Sequence, residues 1–197
     1  EVLLMKILGI SGSPVKRGTY YLLEKTLETA EEEGENVETE IIHIADYELK
    51  FCQGCNDCLK KKECIIKDDD LYEIGDKMEE ADAIIFASPS YFGSVTAYMK
   101  NLMDRSRYLK MRDHALKDKL AGAITSSGLT HGGGQSTIEN INRFALTHGM
   151  KVVGVASRPE SEPNMVVGTM EGPEGFRRIK DDEKAVKMAK KLAKRFI

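Results

Sequence analysis

Met5-Lys-Ile-Leu-Gly-Ile-Ser-Gly-Ser-Pro-Val-Lys-Arg-Gly-Thr19 decides how this chain folds. Its first six residues form a short, nearly continuous apolar run, the mark of a strand buried in a parallel sheet. At Ser11 the run opens into a loop of small and hydroxyl residues. Leu23, Leu27 and Ala30 then share one face of a helix that reaches about Glu33 and ends at Gly34.

The same alternation recurs along the chain. Val37 to Ile44 alternates apolar and polar residues, as a second strand nearer a sheet edge does. Leu71, Ile74 and Met78 give the next helix its buried face, and Asp68-Asp69-Asp70 crowds acids at its positive end. Ala83–Ala87 reads as a third strand with the exit loop Pro89-Ser-Tyr-Phe-Gly93, followed by a helix marked by Val95, Tyr98 and Leu102. Leu120–Thr125 is a fourth strand, leading to a loop over Ser126–Gly134 and a helix lined by Ile138, Ile141 and Ala145 that Gly149 ends. Lys151–Ala156 is the fifth, and residues 157–180, rich in Gly and Pro, read as an irregular loop. From Asp181 the tail carries Ala185, Ala189, Leu192 and Phe196 on one stripe, which is core packing rather than a membrane anchor. Five strands alternating with helices predict one α/β domain over residues 1–197, a doubly wound five-stranded parallel sheet.

Composition narrows the function classes. A net charge of −3 offers no broad basic field for nucleic acid. The apolar run Val2–Ile10 is broken by Lys6, is too short to span a membrane, and lacks a cleavage pattern, so a cytoplasmic location is expected. Met5 reads as an alternative start. Charged residues make up 31% of the chain and there is no Trp, a balance compatible with a thermophile.

In a doubly wound sheet, ligands bind beyond the carboxyl ends of the strands at the topological switch point. For a sheet of flavodoxin type, the loops there are Ser11–Thr19 and Ser88–Ser94. Ser11, Ser13 and Thr19 offer hydroxyls, Gly12 and Gly18 allow close backbone approach, and the helix starting near Thr19 aims free N–H groups at the loop. Pro14 completes this phosphate cradle, to which Lys16 or Arg17 could add charge. Neither G-x-x-x-x-G-K-[ST] nor G-x-G-x-x-G occurs, and no cysteine has an arginine six residues on. A hydroxyl-rich cradle without a committed lysine suits the phosphate of FMN. Pro89, Ser90, Tyr91, Phe92 and Gly93 supply aromatic and backbone groups suited to the flavin ring.

All four cysteines, Cys52, Cys55, Cys58 and Cys64, lie within thirteen residues at the spacing C-x2-C-x2-C-x5-C. Three close thiols and a more distant fourth are similar to the ligand sets of cubane iron–sulfur clusters. Structural zinc, whose ligands usually come in two separated pairs, a redox C-x-x-C pair, and disulfides in an oxidising compartment are the other readings of such thiols.

Ser-Gly-Ser-Pro14, the cysteine run followed by Ile66-Lys-Asp-Asp-Asp70, and Ser88-Pro-Ser-Tyr-Phe-Gly-Ser-Val-Thr-Ala-Tyr-Met-Lys-Asn-Leu-Met-Asp-Arg105 together resemble the iron–sulfur flavoproteins. These belong to the NAD(P)H-dependent FMN reductase branch of flavodoxin-like proteins, and the resemblance covers roughly residues 5–197. It implies FMN, a [4Fe–4S] cluster on the four cysteines in a loop insertion over residues 45–68, and a homodimer or homotetramer in which cluster and flavin lie close across subunits. It also implies a redox donor such as ferredoxin or NAD(P)H and a small-molecule acceptor such as dioxygen or peroxide. Ser126 and His131 are the expected flavin contacts from the fourth-strand loop. Of the other histidines, His43 falls in a strand alternation, His114 in a charged stretch, and His148 near a helix end, where the dipole favours the cation. The competing functional readings are an NAD(P)H-dependent flavin or quinone reductase without a cluster, and a non-enzymatic flavodoxin-like electron carrier.

Overall fold

The computed structural model describes residues 4–155 and 165–197. Strand β1, Met5–Ser11, leads into helix α1, Gly18–Glu33, and β2, Val37–His43, follows. A long connection then carries a 3-10 turn at Ile44–Asp46 and the short helix α2, Asp57–Lys61. Helix α3 (Leu71–Glu80), β3 (Ala83–Pro89), α4 (Ala97–Arg105) and α5 (Arg107–Met111) come next, then β4 (Leu120–Ser127), α6 (Gly134–Thr147) and β5 (Lys151–Val152). Beyond the second gap lie β6 (Val166–Thr169), the hairpin β7 (Glu171–Gly172) and β8 (Gly175–Phe176), a 3-10 turn at Ile179–Asp181, and α7 (Glu183–Ala193).

The strands run parallel in the order β2-β1-β3-β4-β5, with β6 also on β4. This α/β, flavodoxin-like sheet puts β2 at one edge, as its half-polar alternation requires. The fifth position departs from the expectation. The ladder of β5 stops at Val152, paired to Ala121, and β6 continues along β4 from Val166, opposite Ile124. The predicted strand end at Ala156 and the residues to 164 lie outside the described residues. The stretch expected to be irregular thus contributes a strand, because Val166 buries its side chain in the sheet where β5 leaves off.

Side chains alternate across the strands and build a core on each face. Leu8, Ile10, Ile84 and Phe86 pack under α3, α4, α5 and α6. Ile7, Ile85, Ala87 and Ile124 pack under α1 and α7, which contributes Ala185, Met188, Ala189 and Leu192. Of the residues expected to mark α4, Val95 and Leu102 are buried, but Tyr98 is 43% exposed and Met99 takes its place on the inner face. Among the described residues, no helix is long and apolar enough to cross a membrane.

Candidate functional site

The cradle forms where β1 ends. The Gly12 N–H donates to the Ala87 carbonyl on β3, and the Gly12 carbonyl accepts from the Thr96 hydroxyl at the head of α4. Ser13 is 4% exposed, and its hydroxyl donates to the Val15 carbonyl at 2.7 Å, closing the loop on itself. The first N–H groups of α1 have no partner within the helix. No side chain caps them, and no acidic residue stands in the first turn. A helix head left open in this way, with its dipole uncompensated, is chemically suited to an anion. Lys16 is committed elsewhere, in a half-exposed ion pair with Asp46 at 2.6 Å whose hydrogen bond raises the Lys16 ammonium and lowers the Asp46 carboxyl.

Several predicted residues meet here. The Thr19 hydroxyl lies 2.5 Å from that of Ser126, so α1 and the end of β4 touch through two buried hydroxyls. The Ser126 carbonyl accepts the Ser90 N–H at 2.7 Å, and the Ser90 hydroxyl donates to the Gly132 carbonyl at 2.7 Å. Pro89 ends β3 at the register position of Ser126. Tyr91 and Ser94 exchange backbone hydrogen bonds around a tight turn. Phe92 and Gly93, both with positive φ (52° and 75°), form its tip. A Cβ on Gly133 would come 2.4 Å from Gly93 Cα, so the two loops pass backbone to backbone there. Tyr91 is 51% exposed and Phe92 stands fully in solvent, leaving aromatic surface at this edge.

Two predicted residues sit differently. Ser11 is wholly buried, and its hydroxyl supports the loop from below by accepting the Ser13 N–H. His131 is exposed on the rim near Glu171, whose carboxyl is held low chiefly by hydrogen bonds from Thr130 and also by His131. Among the described residues, no hydrogen bond or ion pair ties His131 to the cradle. A cavity of about 860 Å³ lies beside α7 and the β7–β8 hairpin, and its lining contains none of the residues 11–19 or 89–94.

The cysteine segment is anchored at both flanks by one buried ion pair. Arg105 on α4 (side chain 1% exposed) meets Asp69 (0%) at 2.7 Å. The guanidinium also donates to the carbonyls of Lys50 and Ile66, one on each side of the cysteines. Burial pushes the Asp69 carboxyl up, but Arg105 and the Lys50 and Leu71 N–H groups outweigh it and hold the carboxyl below its usual range. Asp70 accepts the Glu48 N–H and Asp68 pairs with Lys50. The three acids expected at a helix start therefore serve to hold residues 48–50. Tyr72 grips Cys64, its hydroxyl accepting the Cys64 N–H at 2.9 Å and donating to the Cys64 carbonyl at 2.8 Å. This frame was hidden in the sequence, where Arg105 only closed the Ser88–Arg105 stretch and had no assigned partner.

Within the frame, Cys58 and Cys64 are half-buried against the core, Cys52 and Cys55 are exposed, and all four thiols are free. Among the described residues, no three Cys, His, Asp or Glu side chains converge as a metal site. The donor chemistry suits a cluster, but the thiol arrangement does not.

The NADPH-dependent FMN reductase family profile matches residues 5–159. An iron–sulfur flavoprotein of Archaeoglobus fulgidus is 42% identical over 193 residues, covering 98% of this chain and 94% of the relative. Another, of Methanocaldococcus jannaschii, is 48% identical over 151 residues, 76% of each chain. Among solved structures, an NAD(P)H:quinone oxidoreductase from Methanothermobacter marburgensis superposes with a TM-score of 0.67 at 18% identity, covering 98% of this chain and 94% of that one. An FMN-dependent NADH-azoreductase from Bacillus anthracis, in complex with FMN, also reaches 0.67, at 14% identity over 98% and 99%. At those identities the structures speak for the fold alone.

Proposed function

The chain belongs to the NADPH-dependent FMN reductase family, on its iron–sulfur flavoprotein branch, and on that premise we propose how this flavin-dependent oxidoreductase uses its site. Ser13, Pro14, Gly18 and Thr19 hold the phosphate of FMN at the head of α1, with Ser11 bracing the loop from beneath. Pro89, Ser90, Tyr91, Phe92 and Gly93 take the ring, and Ser126 links the two halves. The observation that carries this reading is the uncapped, acid-free first turn of α1 beside buried hydroxyls, at the switch point of the sheet. Bound FMN supplies the redox chemistry, and the protein supplies binding, orientation and electrostatics.

The donor is a ferredoxin-like protein or a reduced nicotinamide, and the acceptor a small oxidant. The four cysteines are the ligand set of a [4Fe–4S] cluster, a reading supported by four free thiols within thirteen residues and by the names of the relatives. The exposed aromatics Phe51 and Tyr98, which line one surface pocket, and Tyr91 and Phe92 in the turn after β3 suit burial against a second copy in a homodimer or homotetramer.

Anaerobically purified protein assayed for iron, sulfide and flavin tests this. About four iron and one flavin per chain support the full reading. One flavin with no iron, and turnover with NAD(P)H and a quinone, would replace it with a cluster-free reductase.

A further inference from the structure

One buried histidine beneath the cradle has no role in the reading above. His43 ends β2, is 5% exposed, and places Nδ1 3.2 Å from the Ser11 hydroxyl oxygen. Its ring meets Tyr20 of α1 edge-on, with centroids 5.5 Å apart. The same Ser11 oxygen accepts the Ser13 N–H at 3.4 Å, so His43, Ser11 and the cradle loop form one chain of contacts.

A hydroxyl has one proton to give. With the ring neutral and protonated on Nε2, Ser11 donates to Nδ1 and is committed inward. With the ring cationic, Nδ1–H donates to Ser11, which now accepts twice and must send its own proton elsewhere. Among the described residues, the side chain of Ser11 has no partners besides His43 and the Ser13 amide. An anion at the head of α1 favours the cationic ring by its charge.

We propose that His43 is a proton-linked positioning residue of the flavin cradle: phosphate binding draws a proton onto its ring and turns the Ser11 hydroxyl away from it. This rests on the FMN reading. The groups facing His43 set its starting state. Burial lowers the imidazole below its ordinary value, Asp46 in the following turn favours the cation, and Lys16 from the cradle loop opposes it while pairing with Asp46. Tyr20 contributes only a ring edge. The free protein therefore holds the neutral ring at pH 7, and an arriving phosphate reverses the balance. A group whose pKa is higher in the complex tightens binding as pH falls between the free and bound values, by about tenfold for each unit.

The test is FMN titration from about pH 8 to about pH 5.5, across the range where histidine titrates, of the wild type, His43→Asn and Ser11→Ala, with nitrogen-15 NMR of His43 in the wild type with and without FMN. Ionisation of the flavin phosphate is common to all three proteins and cancels in the comparison. The expected result is an upward shift of the His43 titration on FMN binding and a gain of about tenfold in wild-type affinity over His43→Asn on acidification. Tight FMN binding with an unmoved His43 titration and parallel pH profiles would overturn the proposal and leave the flavin reading standing. A wild type that binds no FMN would overturn both. The NMR arm needs no variant to fold.

Discussion

Gly75 lies in the middle of α3, where glycine normally costs about 1 kcal/mol relative to alanine. The reason is a neighbour: a Cβ there would come 1.8 Å from the hydroxyl oxygen of Tyr108. That hydroxyl is buried with no hydrogen-bond partner among the described residues, and burial pushes its pKa well up. Gly75→Ala should therefore destabilise the fold by about 2 kcal/mol, the usual cost of overpacking. In a Tyr108→Phe background most of that loss should disappear, because the clashing atom is gone and a partnerless hydroxyl was worth little. Denaturant unfolding of the four proteins in this cycle decides it, and an equal cost in both backgrounds would refute the explanation. Residue-scale facts of this kind were the least legible in the sequence. His43 looked like one more strand residue because its partner, Ser11, lies 32 positions away. His148 looked like a cation at a helix end, yet burial, with Lys110 and His114 nearby, pushes it down to about 4. Desolvation outweighs the helix dipole there, and burial is set by tertiary packing.

The 44–70 connection shows what one element gains from a single ion pair. Arg105 and Asp69 are both inaccessible, and between them they fix Lys50, Ile66 and Leu71. Removing one partner leaves the other charge buried and unpaired, at a cost of about 3–5 kcal/mol. Arg105→Met and Asp69→Leu should each lose that much in chemical denaturation, and the double variant should recover part of it. Additive losses would mean that the two side chains act separately. At this scale the strongly periodic segments were readable: β1, α1, α3, β3, β4, α6 and α7 appear close to where their apolar spacing places them. The short β6 was not, because four residues between glycines and prolines carry no period, and only the exposed flank of β4 makes them a strand.

For the whole molecule, the alternation of apolar runs implied a doubly wound parallel sheet, and taking it as flavodoxin type put the switch point between the first and third strands, beside the cradle and the aromatic loop. Gly12 ties the first of these loops to the end of β3 and the head of α4, and Thr19 meets Ser126 of β4 across 107 positions. The four cysteines were legible as candidate donors but not in their geometry, since spacing does not say how a long connection folds. Global stability should depend on pH through His148. Its folded value of about 4 lies below its ordinary 6.5, so between those values the unfolded chain binds more protons and stability falls with acidification. From pH 7 to pH 5 the loss should be about 2 kcal/mol, and His148→Gln should remove that share. An unchanged slope in the variant would place the pH dependence elsewhere. The assignment of the open head of α1 to the flavin phosphate can be checked by titrating flavin-free protein with FMN and with riboflavin, which lacks the phosphate. One FMN should bind per chain, about a hundredfold or more tighter than riboflavin, since charge-assisted hydrogen bonds contribute about 1.5–3 kcal/mol each. Equal affinity for the two flavins would contradict it.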